Sequence, residues 1–399
     1  MPIRATKRGA SRTPLAGDFD VVICGASFAG LAIARELRAS GARVLVLDRY
    51  EIGERQTSAC AAPTDWLRTM GLEASIRQTC GSLVCHTPRA SVRWPLGWTF
   101  STFDYRVLCD LLWAQHGAGT EFETAKVNGR SISASRVPAT DAAAASGPPH
   151  GDVTIHTDRG DVRASLVVDA LGWKRSLGAQ LVQPPEARLS RGLEVHPAGT
   201  GEDLELWIDK RVIRAGYGWS FPAHDELRVG IGSFDPRDHV KHPTVRLADE
   251  LGLPPDGYQG NWIPHQLRPA TEGGIFFVGD SAGHCLPLTA EGIRTAFYFG
   301  IACGRELCAV LEGRRTRAQA LARYHAFSAS HGWKYACMLQ VQHAIPRLRP
   351  RALTAMARTF EHTGPALWAF RHYLRVAPPE LALPAPPAAL AAESAALAA

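Results

Sequence analysis

Asp48 and Asp280 are the residues whose placement speaks most directly of chemistry. Each closes a short apolar run: Arg43–Leu47 leads to Asp48, and Ile275–Val278 with Gly279 leads to Asp280. A carboxylate at the carboxyl end of a buried strand can accept hydrogen bonds from ligand hydroxyl groups, and ligands of open α/β sheets lie at that edge. Ahead of Asp48 stands Gly25-Ala26-Ser27-Phe28-Ala29-Gly30, directly after the apolar run Asp20–Cys24. Gly25 permits a tight turn, Gly30 lets a helix pack on the strand, and the helix N-terminus offers N–H groups to a pyrophosphate. The middle glycine of the G-x-G-x-x-G pattern is replaced by Ser27, which is small enough to keep the close approach. Asp48 follows the last glycine by 18 residues, where a ribose hydroxyl would be met. The unit reads as a dinucleotide site built from Gly25, Ala26, Ser27, Ala29, Gly30, Asp48 and Arg49.

The late segment Gly279-Asp-Ser-Ala-Gly283 continues through His284 and Cys285 to Pro287-Leu-Thr-Ala-Glu291-Gly292-Ile293. A helix is expected from shortly after Pro287 to about Leu311. Its N-terminus would favour negative charge on a reduced flavin, an element that an enzyme using NAD alone does not need. Between the two motifs Ala164–Val168 is another apolar strand, ending in Asp169, with Gly172 three residues on. Asp169 reads equally as a turn residue and as a cofactor contact. A third stretch is Tyr217-Gly-Trp219-Ser-Phe221-Pro222. Side chains at i, i+2 and i+4 share one face of a strand, so the three aromatics make either a core face or the wall of a substrate cavity.

The three fingerprints, in order, resemble those of the FAD-dependent flavoproteins built like the aromatic hydroxylases. That resemblance implies an α/β fold with a Rossmann-like FAD-binding domain of the para-hydroxybenzoate hydroxylase kind, FAD as cofactor, Asp48 at the ribose and Asp280 at the ribityl chain. Arg106, in Phe103-Asp-Tyr-Arg106, matches an arginine that reaches FAD in that family. Tyr217-x-Trp219-x-Phe221-Pro222, then seven residues, then Gly230-x-Gly232, is similar to the pattern of the geranylgeranyl reductase family, as are Gly279–Gly283 and Pro287–Ile293. The resemblance spans about 18–310. It implies delivery of hydride from reduced FAD to a carbon–carbon double bond of a prenyl or other hydrophobic substrate held by Tyr217, Trp219 and Phe221. Gly279, Pro287, Gly292 and Ile293 then join Asp169 and Asp280 as expected cofactor contacts. Cys60, Tyr217 and His284 are the candidates for the proton donor. A monooxygenase hydroxylating a small aromatic or polyketide shares the FAD fingerprints and is the alternative. A flavin-dependent halogenase fits less, since no lysine occurs between Asp48 and Ala125; a redox-neutral prenyl cyclase is a further reading. No second glycine motif for NAD(P)H is visible, so NAD(P)H and a reduced protein both stand as electron donors.

Positioning these residues takes an interleaved chain of 399 residues, two or three domains at about 100–200 residues each. The FAD-binding domain is expected from 18–85, 100–185 and 265–311. A sheet-containing substrate domain takes 86–99 and 186–264, helices fill 312–376, and a flexible tail runs 377–399. A basic arm, 1–17, carries Arg4, Lys7, Arg8 and Arg12 and accounts for four of the six net positive charges. What is left is nearly neutral and poorly suited to nucleic acid. The segment Ala139–His150 reads as an exposed loop. No uncharged run approaches the ~20 apolar residues of a membrane span. Nine scattered cysteines without a C-x-x-C pair suit a reducing compartment, the cytoplasm, and Cys80, Cys85 and His86 are too few for a metal site. The C-terminal helices read as a cap over the substrate domain, with peripheral membrane contact as the second reading. The oligomeric state is left open.

Overall fold

The computed structural model describes residues 13–56, 58–132, 153–179 and 189–383. Most of the basic arm, the 139–150 loop and the tail beyond 383 lie outside the described residues. In chain order the first elements are β1 (Gly17–Cys24), α1 (Phe28–Glu36), β2 (Val44–Asp48), β3 (Ala61–Pro63), α2 (Thr64–Thr69), β4 (Ile76–His86), β5 (Ser91–Phe103) and α3 (Tyr105–Trp113). Then come β6 (Thr120–Thr124), β7 (Val127–Ile132), β8 (Val153–Thr157), β9 (Gly160–Asp169), β10 (Leu189–Val195), β11 (Leu204–Trp207), β12 (Gly216–Ala223) and β13 (Glu226–Ser233). The chain continues with α4 (Lys241–Glu250), β14 (Gln259–Pro264), β15 (Thr271–Glu272), β16 (Ile275–Phe277), α5 (Ile293–Leu311), α6 (Arg317–Ala329), α7 (Gly332–Ala344), α8 (Pro350–Thr359) and α9 (Thr363–Leu374).

The strands form two sheets. The first runs β15-β16-β9-β1-β2-β6, and its members from β16 to β6 are parallel. Val21–Cys24 and Val44–Leu47 are fully buried. This is why those segments read as continuous apolar runs rather than alternating ones. β16 lies beside β9, so strands far apart in the chain complete the sheet. The second sheet runs β14-β10-β13-β12-β11-β4-β5-β3 and is antiparallel except where β11 meets β4. One face packs Val195, Val229 and Ile231 against Leu247 and Ala248 around α4. The other face is left to line a cavity.

The structure moves some boundaries. All of β4 and β5 pair into the second sheet, so it takes 76–103 rather than 86–99, and β3 joins it from further upstream. Residues 377–383, expected in a flexible tail, are packed: Ala377 O accepts from Trp66 Nε1 at 2.9 Å, and Leu383 O from Arg305 Nη2 at 3.0 Å. Likewise Leu15, expected in the arm, is buried, and its N–H donates to Arg159 O. The stretch 312–376 carries α6, α7, α8 and α9. No described helix is long and apolar enough to cross a membrane.

Candidate active site

A cavity of about 830 Å³ lies between the carboxyl edge of the first sheet, the open face of the second, and the C-terminal helices. Ala26, Ser27 and Ala29 reach it from the turn into α1, Asp48 and Arg49 from the end of β2, and Gly279 and Asp280 from the turn after β16. The β1–α1 turn is tight because of its glycines. Gly25 has φ of +116°, and a Cβ on Gly30 would stand 1.8 Å from the Gly25 carbonyl oxygen. No side chain caps α1 and no acid sits in its first turn. The same holds for α5, whose N-cap residue Gly292 lies beside the cavity. Uncapped N-terminal N–H groups attract anions.

The two carboxylates differ. Asp48 accepts from the N–H of Ala26 at 2.9 Å and of Tyr50 at 3.1 Å, which fixes its orientation. Burial still raises its pKa, against those hydrogen bonds. The Asp280 carboxylate accepts no hydrogen bond from a described residue. Burial pushes its pKa up to about 6, with Arg268 pulling the other way. A buried carboxylate without donors, set between two uncapped helix ends, suits a ligand carrying both hydroxyl and phosphate groups. FAD is such a ligand, and the residues present fit it.

Other expected contacts fall outside the cavity. Asp169 is fully buried and accepts from Leu171 N, Leu177 N and Ser281 Oγ, at 3.0, 2.8 and 2.7 Å. It ties the middle motif to the late one as a turn residue. Arg106 is exposed on α3, and its backbone packs against Gly53. Pro287 is buried beneath the cavity wall. The helix expected soon after Pro287 starts only at Ile293, because Leu288 and Ala290 adopt φ of +70° and +53°. Tyr217 Oη donates to Thr289 O at 2.6 Å, and Leu288 N–H to Gln342 Oε1 at 2.7 Å, holding this loop in place.

Of the three expected proton donors, the structure brings only Tyr217 to the cavity. Cys60 is fully buried, has φ of +50°, and lies outside the lining, while its neighbours Ala59 and Ala61 face in. Burial pushes its thiol pKa well up. His284 is sealed away: its ring stacks on Phe299 at 3.7 Å, Nδ1 accepts from Gly279 N–H at 3.2 Å, and Nε2 faces Ser328 Oγ at 3.0 Å. Burial drives its pKa well down, so it braces the turn that carries Asp280.

Tyr217, Trp219 and Phe221 line the cavity together, while Gly218 between them lies against Leu247 of α4 on the other face. A second such row was missed. Trp94, Leu96, Trp98 and Phe100 of β5 also line the cavity, and their period-two spacing is the same signal that marked Tyr217. The far wall comes from α7, α8 and α9, through Val341, Met356, Phe360 and Phe370. Trp94 meets Phe360 with ring centroids 5.3 Å apart, and Trp98 meets Phe370 edge-on at 6.1 Å. The C-terminal helices are a cap, closing an apolar chamber that continues from the carboxylate-lined end.

No family model matches the chain. It is 25% identical to digeranylgeranylglycerophospholipid reductase 2 of Methanopyrus kandleri, over 86% of this chain and 91% of that one. Its fold matches the crystal structure of a geranylgeranyl bacteriochlorophyll reductase-like protein from Thermoplasma acidophilum, with TM-score 0.77, 17% identity, and coverage of 92% and 98%. A probable FAD-dependent monooxygenase from Pseudomonas aeruginosa is similar at TM-score 0.61 and 16% identity, covering 89% and 99%. The fold is that of the FAD-dependent oxidoreductases, and the chain is an enzyme of that class. Within the class it is a homologue of the geranylgeranyl reductases.

Proposed function

We propose that the enzyme saturates carbon–carbon double bonds of a prenyl-lipid substrate. The observation that carries this is the chamber itself. Four aromatic or aliphatic side chains of β5, three aromatics of β12 and the apolar faces of α7–α9 enclose a space continuous with the Asp48 and Asp280 end. Bound FAD, when reduced, supplies hydride. The chain's part is to hold a weakly electrophilic alkene against the reacting centre and to exclude water. Asp280, Asp48 and the two uncapped helix ends hold the cofactor, while Tyr217, Trp219 and Phe221 hold the substrate. NAD(P)H or a reduced carrier protein is the electron source, and stopped-flow reduction of the oxidised enzyme by each separates them.

The reading extends to where the substrate is met. Val341 and Met356 line the cavity and are also exposed, so an entrance lies among α7–α9. On the same set of helices Trp333 and Trp368 are 67% and 66% exposed. Arg349, Arg351, Arg358, Arg371 and Arg375 are exposed and form no ion pair with a described residue. A surface of tryptophan and unpaired arginine suits an anionic lipid headgroup layer. The deciding experiment incubates dithionite-reduced enzyme with a panel of prenyl lipids under anaerobic conditions. A gain of two hydrogens per double bond is expected by mass spectrometry. A product that gains an oxygen atom when air is admitted would instead assign monooxygenase chemistry.

A further inference from the structure

The second sheet carries a row of polar groups that the cofactor and substrate contacts leave unexplained. Its register places Trp219, Gly230, Glu194 and Gln259 side by side on β12, β13, β10 and β14. Gly230 has no side chain, and the Trp219 indole lies across it. A Cβ there would stand 2.2 Å from the ring and 2.8 Å from Glu194 Cβ. The indole Nε1–H thereby reaches Glu194 Oε2 at 3.1 Å. On the other oxygen, Oε1, Glu194 receives Gln259 Nε2 and, at 3.1 Å, His196 Nε2. His196 Nδ1 lies 3.2 Å from Glu226 Oε1, which also takes Arg228 Nε at 3.0 Å.

The row has a direction. Glu194 is 4% exposed and lines the cavity, His196 is 13% exposed, and Glu226 at the far end is 34% exposed. The groups facing His196 are Glu194 on its own strand, Glu226 and Arg228 on β13, and Gln259 on β14. Burial opposes charge on the imidazole, yet the two carboxylates outweigh it and raise its pKa to about 9. Holding four ionisable groups on one face costs desolvation that a row of apolar side chains would avoid. What the charged row supplies and an apolar one cannot is an exchangeable proton next to a dry chamber.

We propose that Glu226, His196 and Glu194 form a proton relay from solvent to the chamber, with Glu194 as proton donor to the substrate. This rests on the reductase reading. FAD held by Asp48 and Asp280 would, when reduced, supply the two electrons as hydride for one alkene carbon and would itself become oxidised. The other carbon takes a proton that Glu194, a carboxylate at rest beside the His196 imidazolium, receives from His196 Nε2 and passes on, so a π bond is replaced by two C–H bonds. Glu194 is then a carboxylate again, and the imidazole is reprotonated from solvent at the Glu226 end. Trp219 and Gln259 position the Glu194 carboxyl group.

Single-turnover re-oxidation of the dithionite-reduced enzyme by a prenyl lipid tests the relay. Glu194→Gln keeps the size of the side chain and should slow re-oxidation about 100-fold or more, with FAD and substrate affinities unchanged. Glu226→Gln, nearer solvent, should slow it less and shift its pH profile, and it carries the test if the first variant misfolds. A readout that needs no turnover is nitrogen NMR of the cofactor-free protein. His196 should remain an imidazolium at pH 8 in the wild type and become neutral there in Glu194→Gln. Wild-type rates in both variants, or an ordinary His196 titration near 6.5, would overturn the relay alone. A wild type that reduces no prenyl double bond overturns the reductase reading and this step with it.

Discussion

Asp280 is held in the fold without a hydrogen-bond donor, and that has a thermodynamic sign. Its pKa rises from an ordinary 3.8 to about 6. The fold thus favours the neutral acid, whose stabilising effect is complete below 3.8 and is lost as pH rises through 6. Above pH 6 the carboxylate is a net cost. The cofactor-free Asp280→Asn protein should therefore be more stable than the wild type at pH 7.5, by about 2–3 kcal/mol. The two should be equal near pH 3.5, with urea denaturation as the measure. The same variant should bind FAD at least about tenfold more weakly by fluorescence titration, a site that trades stability for function. Asp280 and Asp48 were legible in the sequence because a strand end and a following turn fix where a side chain emerges. Cys60 and His284 were not. Nothing in their spacing reveals that a φ of +50° turns Cys60 away from the cavity, or that Phe299 and Ser328 enclose His284.

The helices at the C-terminus depend on one side chain of α5. Arg294 is fully buried, 2.6 Å from Glu291 Oε1, and its guanidinium stacks 4.5 Å from the Tyr373 ring centroid. Its Nη atoms donate to the carbonyls of Tyr373, Leu374 and Ala377, at 3.1, 3.1 and 3.3 Å. Tyr373 and Leu374 end α9, and their carbonyls also accept from the N–H groups of Val376 and Ala377, so Arg294 adds a second donor to each and ties the helix end to α5. Tyr373 Oη in turn reaches Glu291 and Thr289. Arg294→Met should cost about 3–5 kcal/mol, because it leaves Glu291 buried and unpaired. Limited proteolysis should cut between α7 and α9 far faster in the variant than in the wild type. Equal cleavage rates would show that the cap stands without this tie. At this scale the parallel strands were readable, since β1, β2 and β9 are buried on both faces and the apolar runs mark them. The sheet partner of β4 was not, because pairing with β11 joins residues 83–86 to 204–207 across more than a hundred positions. Local pattern carries no record of that choice.

Charge looks different over the whole molecule than in the net sum. From Gly332 to Val376 the sequence has seven Lys and Arg against one acid, Glu361. Near-neutrality outside the N-terminal arm therefore conceals a basic segment running through α7, α8 and α9, matched by acidic excess elsewhere. Cosedimentation should find the enzyme on vesicles containing about 30% anionic lipid at low salt, released as ionic strength rises, with each basic contact contributing about 1 kcal/mol. Replacing Trp333 and Trp368 by alanine should weaken binding to the same vesicles. Equal binding to purely zwitterionic vesicles would count against an electrostatic contact.

The order in which β16, β9 and β1 lie side by side has a consequence for biosynthesis. As the polypeptide leaves the ribosome, β1 is complete at Cys24, but its neighbour β9 emerges only from Gly160, and β16 only from Ile275. The first strand must therefore wait, one edge unpaired, until about two fifths of the chain has been made, and β9 then waits in turn for β16. Such an edge invites pairing with another nascent chain. Yield in a heterologous host should be governed by temperature and by chaperone supply more than by the stability of the finished enzyme.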